Sequence, residues 1–139
     1  GGSGVSLGLI EALRQARPEA KFLELVHRLD RDTSGILMLA KKRSALVALH
    51  EQIRAGQIDK RYTLLAHGAL PKSDKPVPLK FPLLKYLLPN GERRVRVDPN
   101  GQASHSILKV LGPAKDNQCF VGQGQLKTGR THQIRVHLK

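Results

Sequence analysis

Two short stretches place charged side chains where they could do chemistry. In HRLDRDTSG, residues 27–35, Asp30 and Asp32 are interleaved with Arg28 and Arg31 in a turn rich in Asp, Thr, Ser and Gly. Such a turn at the end of a strand lets a sheet aim a carboxylate into a cleft. The same residue types also form Asx or Ser/Thr turns, in which the carboxylates bond their own backbone. In TGRTHQIR, residues 128–135, Thr131 suits the N-cap of a helix, and Arg130 would stand at the helix start, placed to meet a carboxylate. Alone, neither stretch names a reaction.

Other chemistries lack their residues. Gly2, Gly4 and Gly8 do not match the dinucleotide fingerprint, and no phosphate loop ending in Gly-Lys-Ser/Thr occurs, so no nucleotide cofactor is expected. His50 and Glu51 open HEQIR without a second histidine at zinc-protease spacing, and His132 and His137 are splayed by their five-residue separation, so no metal site is expected. Cys119 lies in an apolar strand pattern and reads as core.

These residues need elements to hold them. GLIEALRQA at 8–16 has the apolar rhythm of a helix stopped by Pro18, and residues 43–55 put Leu46, Leu49, His50 and Ile53 on one face, with Ser44 as N-cap and Gly56 as the stop. FLELV at 22–26 and ILMLA at 36–40 read as strands flanking the acidic loop. Further strands are expected at 62–68, 93–98, 104–112 and 118–126, with a proline-rich loop over 71–92 containing short extended pieces. The alternation in RRVRVD predicts one buried and one wet face. Ile134 and Leu138 fall four apart on the final helix. The expected fold class is α+β, a mostly antiparallel mixed sheet with flanking helices and long loops. The glycine-rich start and the final helix predict a domain cut at both ends.

The 139 residues, 40% of them hydrophobic, suffice for one core. Formal charge is +13, and no acidic residue follows Asp116, which favours a polyanionic partner and nucleic acid first. No apolar run reaches spanning length and no basic amphipathic helix with an aromatic face is evident, so no membrane partner is expected. One cysteine and a start without signal-peptide character fit the cytoplasm.

HRLDRDTSG and TGRTHQIRVHL, about a hundred residues apart and joined by KRY at 60–62, together resemble the RluA-type family of pseudouridine synthases. KKRSALVALHEQIRAG at 41–56 and ERRVRV at 92–97 are similar to a subgroup named for the ribosomal large subunit. The resemblance implies a cofactor-free isomerisation of uridine to pseudouridine in RNA, most readily 23S ribosomal RNA, by a cytoplasmic monomer. It implies that Asp30 is the essential carboxylate, as nucleophile at sugar or base or as a base at the ribose. Arg130 would pair with Asp30 and keep it ionised where burial would raise its pKa. Tyr62 would stack on the uracil and assist proton removal from C5. Ile134 and Leu138 would wall the pocket, or simply pack in the core. Base flipping follows from the substrate, with Arg28 filling the gap. Asp32 keeps a turn-forming or Arg-pairing role.

By the same resemblance, residues 1–139 are a partial pseudouridine synthase catalytic domain, without the S4-like amino-terminal domain and the remainder of the fold. The rivals are a non-catalytic RNA-binding domain, a transfer RNA substrate, and a metal-dependent nuclease using Asp30 and Asp32.

Overall fold

A computed structural model describes residues 8–139, so the glycine-rich start at 1–7 lies outside the described residues. The chain divides into two compact units, one ending at Gln57 and one running from Ile58 to Lys139.

In the first unit, helix α1 (Leu9–Ala16) ends ahead of Pro18, as its sequence predicts. Its Arg14 guanidinium donates to the Leu23 carbonyl at 2.9 and 3.1 Å and pairs with Glu24 at 2.8 Å. The strands β1 (Glu24–Leu25) and β2 (Leu39–Ala40) are much shorter than the apolar runs around them. They pair antiparallel, Glu24 with Ala40 and Leu25 with Leu39. One further backbone bond, Val26 N–H to Met38 O at 3.0 Å, extends the ladder before the chain opens into the acidic loop. Helix α2 (Arg43–Arg54) turns Leu46, Leu49, His50 and Ile53 to its half-buried side, matching the predicted face. Its start differs from expectation: Lys42 is the N-cap, with no side-chain cap, and Ser44 already lies inside the helix. At the other end Gly56 takes a φ of 68°, the left-handed stop that glycine adopts without steric cost.

The second unit contains a four-stranded antiparallel sheet in the order β3 (Lys60–His67), β8 (Cys119–Leu126), β7 (Ser106–Ala114), β4 (Val77–Leu79). Register puts Tyr62 opposite Gly124 and Leu64 opposite Gly122, with Leu108 and Val110 on the far side of those two glycines. Directly opposed residues share a face. Lys60, Tyr62, Leu64 and Ala66 therefore lie on the same face as Ser106, Leu108, Val110 and Phe120. On it Leu108, Val110 and Phe120 form the core, packed by Leu64, Ala66, Leu79 and Leu138. Cys119 is buried, as its strand context predicts.

Strands β5 (Leu83–Leu87) and β6 (Arg93–Val97) form a separate two-stranded hairpin inside and beyond the proline-rich stretch. The expected buried face of β6 is absent: only Val95 is half-buried, and the rest of the strand is exposed. A two-stranded ribbon has no second layer of its own to bury alternate residues. Arg94 and Arg96 instead bond Glu92 and Asp98 at 3.0 Å, and Arg96 also lies 5.0 Å from the centre of the Tyr86 ring.

Helix α3 is a short piece, Gln133–His137, on the core side of this sheet. Thr131 does not cap it. His132, in the left-handed conformation with φ 52°, is the N-cap, and Leu138 closes the helix. The first helical residue, Gln133, instead sends its side-chain oxygen back to the backbone N–H of Arg130 at 3.0 Å, so it ties the loop before the helix and no side chain caps the helix itself. Every ladder between the described strands is antiparallel, and together with the helices they make an α+β chain.

Candidate active site

Arg28 and Asp30 belong to the first unit, on the loop between β1 and β2. Arg28 is exposed and Asp30 half-buried. Thr33 N–H donates to the Asp30 carbonyl at 3.0 Å, closing a four-residue turn whose third residue, Asp32, has φ 67°. Positive φ at that position is the signature of a type II turn, and Asp is among the few non-glycine residues that tolerate it. Asp32 thus shapes the turn that carries Asp30. Two histidines brace the loop. His27 Nε2 accepts the Met38 N–H at 3.0 Å, which makes Nε2 the unprotonated ring nitrogen, and His50 Nε2 bonds the Val26 carbonyl at 3.0 Å.

Tyr62, Arg130, Ile134 and Leu138 belong to the second unit. Tyr62 is half-buried opposite Gly124. A Cβ at Gly124 would come within 3.1 Å of Ile134 and 3.3 Å of Leu64, so the missing side chain is what lets Ile134 rest on the sheet beside Tyr62. One residue before Arg130, a Cβ at Gly129 would meet the Lys60 amine at 3.1 Å. Lys60 is half-buried there, and the burial lowers its pKa. Leu138 packs against the buried core, while Arg130 is exposed and donates from Nε to the Ala103 carbonyl at 3.0 Å. The structure thus gathers Tyr62, Ile134 and the Arg130 loop around two glycines, and holds Arg28 and Asp30 together on another loop.

Beneath the Arg130 loop lies a buried polar cluster that the sequence reading missed. Gln133 is 2% exposed and Ser106 is fully buried. The Gln133 amide accepts from Thr128 Oγ1 at 2.7 Å and Arg130 N–H at 3.0 Å, and donates to His105 O at 2.9 Å and Ser106 Oγ at 2.8 Å. His137 bonds Ser106 through Nδ1 at 3.0 Å and the Phe81 carbonyl through Nε2 at 3.0 Å. A carbonyl can only accept, so the ring proton sits on Nε2 and the Ser106 hydroxyl donates to Nδ1. His105 keeps its own Nε2 buried without a hydrogen-bond partner; burial first, then Lys80, Lys127 and His137, lower its pKa. The signal was in the pattern: Ser104 and Ser106 continue the inward alternation of Leu108 and Val110, and a polar residue at an inward position requires a partner. Gln133 and His137, four apart on α3, supply it.

No group of three His, Cys, Asp or Glu side chains gathers as a metal site among the described residues. None of the described helices is long and apolar enough to cross a membrane. A separate shallow hollow of about 330 Å³ lies at the other end of β3 and β8, between Leu70, Pro71, Pro113 and Asn117.

The family model for RNA pseudouridylate synthase matches residues 9–139. The chain belongs to the RNA pseudouridylate synthase family. It is 52% identical over 139 residues to ribosomal large subunit pseudouridine synthase C of Escherichia coli strain K12, and 49% identical to the protein of that name in Buchnera aphidicola. In both cases 99% of this chain is matched but only 42% of the relative's length. Among solved structures it is similar to human RNA pseudouridylate synthase domain containing 4, with a TM-score of 0.70 and 26% identity over 93% of this chain and 51% of that one. Human RNA pseudouridylate synthase domain containing 1 shares the fold, with a TM-score of 0.72 at 22% identity over 92% of this chain and 54% of that one. The pseudouridylate synthase motifs HRLDRDTSG, KRY and TGRTHQIR all fall inside the matched span.

Proposed function

We propose that this chain carries the catalytic machinery of a pseudouridine synthase acting on ribosomal RNA. In this reaction the C1′–N1 bond of a uridine breaks, the uracil turns, a C1′–C5 bond forms, and C5 loses a proton while N1 ends protonated. Atoms and electrons balance within the substrate and its exchanged proton. Asp30 is the essential carboxylate, Tyr62 stacks on the uracil and assists proton removal from C5, and Arg130 pairs with Asp30. Ile134, with Leu138 behind it, forms the apolar wall, and Arg28 enters the space left by the flipped nucleotide. The basic surface holds phosphates, so binding weakens steeply with salt.

One observation supports this reading above the others. The family match over residues 9–139 takes in HRLDRDTSG, KRY and TGRTHQIR together, so the turn that carries Asp30, the strand that carries Tyr62 and the loop that carries Arg130 all lie within the span that resembles pseudouridylate synthases. The relatives named above are called ribosomal large subunit synthases, which favours ribosomal over transfer RNA.

The test uses full-length protein, large-subunit ribosomal RNA and transfer RNA as alternative substrates, excess chelator, and a carbodiimide readout of pseudouridine. Asp30→Asn is expected to lose at least about a thousandfold in rate. Wild-type product from Asp30→Asn would overturn the mechanism. RNA cleavage abolished by chelator would favour the nuclease.

A further inference from the structure

We propose that Gln133 is the positioning residue for Arg130, fixing the TGRTH loop from below so that the guanidinium is presented in one geometry. This rests on the role given to Arg130 in the proposed function. An amide has two donor hydrogens and two acceptor lone pairs, and all four are used here. Its orientation is chemically unique. The Arg130 N–H can only donate, so the amide oxygen must face the loop, and the His105 carbonyl can only accept, so the amide nitrogen must face β7. Flipping the amide would break both bonds at once.

The bridge therefore runs from the start of β7 to the loop. Its β7 end is anchored on Ser106, which has no exposed surface and is also bonded by His137 from the same helix. Its loop end holds the backbone of the residue that bears the guanidinium. A second tie, Arg130 Nε to Ala103 O, takes one of the five guanidinium donors and leads back to the same segment. Thr128 completes the arrangement by accepting from His105 N–H at 2.9 Å while donating to Gln133.

Nothing apolar performs this task. Lys127, Gly129, Arg130, Thr131 and His132 are all exposed, Thr128 is half-buried, and the loop ends in a left-handed His132. A loop with no buried side chain takes its shape from its hydrogen bonds. Two of them, from Thr128 Oγ1 and the Arg130 N–H, converge on one buried amide, and that amide follows Arg130 by three residues.

The test is a double-mutant cycle in full-length protein, read by single-turnover rate, RNA affinity and thermal melting. Gln133→Met, which keeps length and removes every hydrogen bond, is expected to lower the rate about a hundredfold, the scale of a misplaced reacting group, while RNA affinity stays within about twofold. In an Arg130→Lys background the same change is expected to cost less than about threefold, because the group being positioned has already been replaced. A Gln133 that served stability alone would cost the same factor in both backgrounds. That result, or an unimpaired Gln133→Met, overturns the proposal. Wild-type rates for both Arg130→Lys and Arg130→Ala would instead overturn the role of Arg130, a different signature. If Gln133→Met does not fold, Gln133→Glu decides. Burial raises its carboxyl pKa, and the neutral acid restores one donor, so its rate relative to wild type should recover about tenfold from pH 8 to 5.5. No recovery overturns the proposal.

Discussion

The acidic and basic loops are built by opposite means. The loop bearing Asp30 is closed mostly from within, by Thr33 N–H on the Asp30 carbonyl, the left-handed Asp32 and the His27 ring on the Met38 N–H, with one brace from His50 of α2 on the Val26 carbonyl. The loop bearing Arg130 is held at a distance by Gln133, which ties it to residues 105 and 106, more than twenty positions earlier. A loop closed mostly from within depends less on distant packing. One held by a buried network exists only when the sheet beneath it is assembled.

That contrast predicts different sensitivities. The largest stability effect should come from filling the space under the basic loop. Gly124→Val brings new carbons against Ile134 and Leu64, already 3.1 and 3.3 Å from an ideal Cβ, and should destabilise by about 1–3 kcal/mol. Urea unfolding measures this, and amide exchange at Arg130 should accelerate with it. Unchanged exchange there would break the claimed dependence of the loop on its sheet.

His27→Ala should act on the acidic loop alone. It leaves the Met38 N–H unpaired in a half-buried place, at a cost of about 1–2 kcal/mol. The expected signature is faster hydrogen exchange around Met38, with the Arg130 amide as protected as in wild type. Equal loss at both loops would erase the contrast.

The smallest effect concerns pH. His105 has a lowered pKa in the folded state, so below about pH 6.5 the unfolded chain binds more protons than the folded one. Its contribution to stability is complete above that pH and falls away as acid is added, until the folded-state pKa is passed. Melting temperature should therefore drop between about pH 7.5 and 5.5, and His105→Gln should remove part of that slope. The variant keeps the backbone bonds that His105 N–H and O make with the basic loop. An undiminished slope would place the acid sensitivity elsewhere.

Much of the framework was legible in the residues. The helix α1 with its stop ahead of Pro18, the half-buried face of α2, the stop at Gly56 and the buried Cys119 follow from periodicity and local chemistry, which act within a few residues. So does the turn at Asp32. Misreadings fall at helix starts and at β6. Ser44 and Thr131 have the side chains of N-caps, yet the N-caps are Lys42 and His132, neither with a side-chain cap bond. The valines of β6 alternate as if over a core, but only Val95 is even half-buried.

By itself, the sequence determined the family and pointed to one carboxylate to test, because motifs such as HRLDRDTSG and TGRTHQIR are strings of neighbours. Tertiary structure decided which other polar residues matter. Ser106, Gln133 and His137 look ordinary in a basic chain, and Gly122 and Gly124 look like weak points in a strand. Only packing shows that two are gaps filled by neighbouring side chains and three are a buried network. Burial is what raises the cost of an unpaired polar group, and burial belongs to the assembled sheet rather than to any stretch of chain.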